Sequence, residues 1–174
     1  MYSVLVVDDE IRQREAVIKS VDWEKAGFNI VGDAENGIEA IEQLEKLEPD
    51  LILTDIKMPL MTGLELAARA REIRPATKLV ILSGYDDFEY AQEAFKYNVI
   101  RYLLKPISAS ELTSELEKIK SEMDKELEML KTGGSNEETE LRLKKAEFLL
   151  PLLLGTGEDV YSSSQLTERM EQLG

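Results

Sequence analysis

Five short apolar runs, spaced through the first 105 residues, constrain this chain more than any other feature. They are Tyr2–Val7, Phe28–Asp33, Leu51–Thr54, Lys78–Leu82 and Ile100–Leu104. Runs this short, bounded by polar residues, read as buried strands rather than buried helices. Between them lie amphipathic helical patterns beginning near Ile11, Gly37, Gly63 and Asp87, and a fifth begins after Ile107. Alternating strand and helix units with short links dictate a parallel sheet covered on both faces, with right-handed crossovers.

The expected fold is α/β, a flavodoxin-like (βα)5 doubly wound parallel sheet with strand order 2-1-3-4-5 and a C-terminal helical extension. In such a sheet the carboxyl ends of the strands share one edge, and ligands bind in the crevice there. The first run ends in Asp8-Asp9, the third in Thr54-Asp55, the fourth in Ser83-Gly84 and the fifth in Lys105-Pro106. Three carboxylates and one ammonium therefore converge. Packed carboxylates repel unless a proton or a cation neutralises them, and a hard divalent cation suits an oxygen-rich site. Magnesium prefers a few carboxylates, water and an incoming phosphate, which assigns it to Asp8, Asp9 and Asp55. An Asp carboxylate beside it can act as a nucleophile and form an aspartyl-phosphate. Lys105 would then pair with phosphoryl oxygens, and Ser83 would add a hydroxyl donor. Singly, each element has a plainer reading: an Asp at a strand end commonly caps a helix, and Lys-Pro is commonly a loop. Four coincidences along one edge favour a site.

Composition narrows the chemistry. The chain has no histidine, which removes Ser-His-Asp catalysis, imidazole metal sites and a phosphohistidine of its own. It has no cysteine, so a disulfide framework and a thiolate site are excluded; a reducing compartment fits, and a cytoplasmic location is the expectation. The formal charge is −14, with 15 basic against 23 acidic side chains in residues 1–120 and 6 against 12 in residues 121–174. No basic region is present in either part, so direct nucleic-acid binding by this chain is not expected. Nor is membrane insertion: the longest apolar stretch, Phe148 to Leu154, is short and contains Pro151.

Ser108-Ala109-Ser110-Glu111 has the spacing of a capping box, and Leu112, Leu116, Ile119, Met123, Leu127 and Leu130 follow on one face. That stripe outruns the helix needed to cover the sheet. It fits either a long covering helix or the seam of a homodimer, and both stay open. Gly133-Gly134-Ser135-Asn136 reads as a linker, and Glu137–Leu154 as helical up to Pro151. The expected organisation is an α/β domain over 1–122 that carries the acidic edge, the extended fifth helix and Gly-rich linker over 123–136, and a helical segment over 137–174. The apolar cluster from Phe148 is too large for a monomer surface, which points to a partner or to a truncated second module.

The motifs Val7-Asp8-Asp9-Glu10, Thr54-Asp55-Ile56-Lys57-Met58-Pro59 with Gly63, Leu82-Ser83-Gly84 and Tyr102-Leu103-Leu104-Lys105-Pro106 resemble those of the receiver domains of two-component response regulators. The resemblance implies that Asp55 accepts phosphate from a sensor histidine kinase. It implies magnesium ligated by Asp9, Asp55 and the backbone carbonyl of Lys57, with Asp8 acting mainly through water. Ser83 and Lys105 would contact the phosphoryl group, and Tyr102 would be the aromatic switch. The readout would be the face formed by the fourth helical stretch, the fifth strand and the fifth helical stretch. The Lys105-Pro106 bond is expected to be cis.

Ser83 to Ala91, with Ala94 and Phe95, is similar to the subgroup carrying a C-terminal AraC-type DNA-binding domain. That domain is absent here, so transcription control and DNA contact would belong to the intact protein. Lys57 and Tyr85, two residues beyond Asp55 and Ser83, are placed to shield a phosphoryl group, which implies slow dephosphorylation. On this reading the chain is not an enzyme but a phospho-acceptor with at most self-phosphorylation and self-dephosphorylation activity. Two alternatives are a magnesium-dependent phosphohydrolase with Asp55 as nucleophile, and an interaction module with a dead acidic pocket. The phosphohydrolase lacks an acid where Lys57 stands.

Overall fold

The computed structural model describes residues 1–84, 97 and 99–131. Five parallel strands form one sheet in the order β2-β1-β3-β4-β5. They are β1 (Tyr2–Val7), β2 (Phe28–Ala34), β3 (Leu51–Asp55), β4 (Lys78–Ser83) and β5 (Val99–Leu104). The described helices are α1 (Ile11–Ser20), α2 (Trp23–Ala26), α3 (Gly37–Leu47), α4 (Gly63–Ile73) and α5 (Ala109–Lys131). The strand order and the flavodoxin-like architecture are those expected from the alternation of apolar runs. The helical pattern near Asp87 and everything after Lys131, including the linker and the Phe148 cluster, lie outside the described residues.

The alternation of side chains along a strand divides the core into two layers. Leu5 and Val7 of β1 join Ile52, Leu79 and Ile81 in the layer that α3 and α4 cover with Ala40, Leu44, Leu66, Ala67 and Ala70. Val4 and Val6 join Leu53, Val80 and Leu82 in the opposite layer, covered by Leu112, Leu116, Ile119 and Met123 of α5. All of these side chains are buried. Burying one such side chain is worth about 1.5–3 kcal/mol, so both layers are needed to hold the sheet.

The short helix α2 is absent from the periodicity reading. Its four residues offer no repeat, yet Asp22 caps it by accepting from the Lys25 N–H, and Gly27 ends it at φ 83°. The Asp22 N–H reaches Thr113 Oγ1 of α5 at 3.3 Å, tying the α1–β2 connection to the last helix. Near the far end of the sheet, the Tyr2 hydroxyl donates to Asp124 Oδ1 at 2.9 Å, and Lys120 Nζ donates to Asp124 Oδ2 at 2.6 Å. Together they pull the Asp124 carboxyl below its ordinary range, Lys120 contributing most. A first compact unit ends at this residue.

Candidate functional site

The sheet register brings the polar ends together. Val7 pairs with Thr54 across β1 and β3, Asp55 with Leu82 across β3 and β4, and Ser83 with Leu104 across β4 and β5. Each of these paired residues either is a functional group, as Asp55 and Ser83 are, or directly precedes one: Asp8 after Val7, Asp55 after Thr54, Ser83 after Leu82 and Lys105 after Leu104. Asp8, Asp9 and Asp55 consequently offer carboxylate oxygens that all lie within 4.8 Å of one another.

The three carboxylates differ in surroundings. Asp8 is buried at 4% exposure, Asp55 is half-buried, and Asp9 faces solvent. Asp8 Oδ1 accepts from the Glu10 N–H at 2.9 Å, so this Asp also orients the start of α1. Its Oδ2 accepts from Lys105 Nζ at 3.0 Å, and the same ammonium lies 3.4 Å from Asp55 Oδ1. Burial pushes the Asp55 carboxyl above its ordinary range, and the negative charge of Asp8 adds to that push. The Lys105 charge and the Ile56 N–H pull the other way without overcoming burial. Carboxylates crowded at one partly buried edge thus gain from more positive charge than Lys105 alone supplies.

Lys105 is set by its own strand end. Its N–H donates to the Ser83 carbonyl at 2.7 Å, which joins the ends of β4 and β5 at the residue expected to contact phosphate. Ser83 is fully buried. The Lys105-Pro106 bond is cis, as the motif implied. Tyr102 is half-buried and packs against the layer under α3 and α4. Lys57 stands exposed in the loop after β3. Tyr85, Tyr90 and Phe95 lie outside the described residues.

Gly63 explains how α4 can start so close to Asp55. Its N–H donates to the Ile56 carbonyl at 2.8 Å, and a Cβ there would fall 2.3 Å from the Asp55 carbonyl oxygen. Only glycine permits that approach.

Two residues of α1 escape the sequence reading. Arg14, buried, donates through Nε to Asp33 Oδ2 at 2.7 Å and through a terminal nitrogen to the Asp8 carbonyl at 2.6 Å. Gln13 Oε1 accepts from Lys105 Nζ at 2.8 Å. The signal available for both was their place in the first turns of the helix that follows Asp8-Asp9.

A doubly wound five-stranded sheet whose edge gathers three carboxylates, two of them beside one lysine, defines an α/β module with an acidic, ligand-binding strand edge. The chain belongs to the response regulator receiver domain family, whose model matches residues 4–117. It is 40% identical over 126 residues to the uncharacterized transcriptional regulatory protein YesN of Bacillus subtilis, covering 72% of this chain and 34% of that protein. It is 35% identical over 112 residues to the transcriptional regulatory protein HptR of Staphylococcus aureus, covering 64% of this chain and 44% of that one. The match therefore spans less than half the length of either relative. Among solved structures, the receiver domain of AraT, a response regulator of Geobacillus stearothermophilus, superposes with a TM-score of 0.67 at 38% identity, over 72% of this chain and 98% of that one. A two-component transcriptional regulator AraC from Clostridium phytofermentans gives 0.66 at 34% identity, over 72% and 97%. Phosphorylation of an aspartate by a histidine kinase is the family's mechanism. Among the described residues, no helix is long and apolar enough to cross a membrane.

Proposed function

We propose that Asp55 is the phospho-acceptor, taking phosphate from a partner kinase's phosphohistidine and so switching the output of a longer transcriptional regulator. The carrying observation is the Lys105 ammonium, 3.0 Å from Asp8 and 3.4 Å from Asp55, at the edge where three carboxylates converge. A donor set of hard carboxylate oxygens this close together fits magnesium. Asp8, Asp9, Asp55 and the Lys57 backbone carbonyl would hold it. Bound there, magnesium neutralises carboxylate charge and draws electron density from phosphoryl oxygens.

The chain's own groups do the rest. An ionised Asp55 oxygen forms the new bond to phosphorus while the bond from phosphorus to the donor's imidazole nitrogen breaks, its electron pair leaving with the nitrogen. Lys105 pairs with the phosphoryl oxygens, and the Ser83 hydroxyl donates to them. Tyr102, already packed against the layer beneath it, turns further inward as Ser83 is drawn toward phosphate. The added charge and acceptor oxygens shift a two-state equilibrium, read out on the face built by the fourth helical stretch, β5 and α5.

The kinase is the partner at the acidic edge; if a second copy binds, the exposed stripe of α5 beyond Met123 is the surface it meets, the other reading being a plain covering helix. DNA is reached through a domain outside this chain, in the cytoplasm. The unit that carries the switch is 1–122, with 123–136 as extended helix and linker and 137–174 as the start of the connection. Turnover is limited to self-phosphorylation and self-dephosphorylation, since Lys57 offers no acid to protonate a leaving group.

Beryllofluoride with magnesium, a mimic of the bound phosphoryl group, tests this by NMR. Amide shifts at Asp55, Ser83, Tyr102 and Lys105 are expected in the wild-type chain and not in Asp55→Asn. A wild-type spectrum that does not change would contradict the reading.

A further inference from the structure

We infer that Gln13 is a positioning residue for Lys105, holding its ammonium beside Asp8 and within reach of Asp55 before phosphate arrives. This rests on the phospho-acceptor reading of Asp55 and names a residue through which that site works.

An ammonium has three donors. Among the described residues, three oxygens face Lys105 Nζ: Gln13 Oε1 at 2.8 Å, Asp8 Oδ2 at 3.0 Å and Asp55 Oδ1 at 3.4 Å. Gln13 makes the shortest of the three contacts. The lysine stem is long and flexible, so an ammonium left to two carboxylates samples several rotamers. Gln13 is itself held. It is half-buried in the first turn of α1, and its neighbour Arg14 fastens that turn to the Asp8 carbonyl and to Asp33. Because the glutamine is neutral, it orders Lys105 without adding negative charge to a pocket that must admit a phosphoryl anion. A neutral acceptor also yields the ammonium readily to charged phosphoryl oxygens, which bind it more strongly.

Two readouts on the full chain test this. Without metal, the NMR order parameter of the Lys105 ε-methylene is expected to fall in Gln13→Ala toward that of an exposed lysine, and to stay high in Gln13→Glu. With magnesium and acetyl phosphate, Gln13→Ala is expected to slow phosphorylation on the order of three- to tenfold. In a Lys105→Ala background the same substitution should add no further loss. Unchanged order at Lys105, or an equal loss in both backgrounds, overturns the inference. A wild-type chain that takes no phosphate removes the phospho-acceptor reading instead, and the order parameter still decides whether Gln13 holds Lys105.

Discussion

Asp55 carries an electrostatic cost that its proposed role as phospho-acceptor requires. Its carboxyl is raised above the ordinary range because it is partly buried, so in the folded state it binds a proton more tightly than in the unfolded state. Stability from this group is therefore greatest below its ordinary range and is lost as pH rises through the raised folded value. Asp55→Asn should accordingly stabilise the metal-free protein at neutral pH in urea titrations. The gain should shrink in acid and with magnesium present; equal gains at all pH values would contradict the account. Gly63 and Gly84 give a matched pair at the same edge. A Cβ at Gly63 meets the Asp55 backbone, whereas one at Gly84 meets nothing within 4 Å among the described residues. Gly63→Ala should cost about 1–3 kcal/mol in urea unfolding, while Gly84→Ala stays within about 0.5 kcal/mol of wild type.

At the scale of elements, helix starts are written locally. Thr62 and Glu65 form a reciprocal capping box at α4, and Ser108 and Glu111 do the same at α5: the Ser108 N–H reaches Glu111 Oε2 at 2.8 Å, and the Glu111 N–H reaches Ser108 Oγ at 3.2 Å. The Ser108 hydroxyl, then its N–H, hold the Glu111 carboxyl below its ordinary range. That contribution is present above the ordinary carboxylate range and is lost as pH falls through the depressed folded value. Ser108→Ala should cost about 1 kcal/mol, measured by urea unfolding at neutral pH, and less in acid. Such boxes were legible in sequence at Ser108 because the pattern is four residues long and self-contained. The central strands β1, β3 and β4 were legible because parallel strands buried on both faces are continuous apolar runs, and the partly exposed edge strands β2 and β5 because shorter apolar runs recur at the same spacing. Helix α2 was not: its four residues carry no repeat, and what it packs beside, α5 with Lys120 across Gly27, is brought there only by the fold. Gln13 and Arg14 were hidden for the same reason: their partners are Lys105, Asp33 and Asp8, brought near only by the fold.

The described residues join a polar strand edge to the long helix α5. Within α5, Leu112, Leu116, Ile119 and Met123 are buried on the sheet, whereas Leu127 and Leu130 are 43% and 76% exposed. The same apolar stripe thus continues past the surface it covers. If it serves a second copy, Leu127→Lys with Leu130→Lys should lower the weight-average mass in sedimentation of the phosphorylated chain and leave urea stability nearly unchanged. The full sequence carries a net charge of −14, a balance that repels nucleic acid. The central claim is that this edge exists to place one phosphate on Asp55. Its most direct test is the mass of the intact protein after magnesium and acetyl phosphate, wild type beside Asp55→Asn. The account predicts one labile phosphoryl adduct on the wild type and none on the variant; no adduct on either, or equal adducts on both, would contradict it.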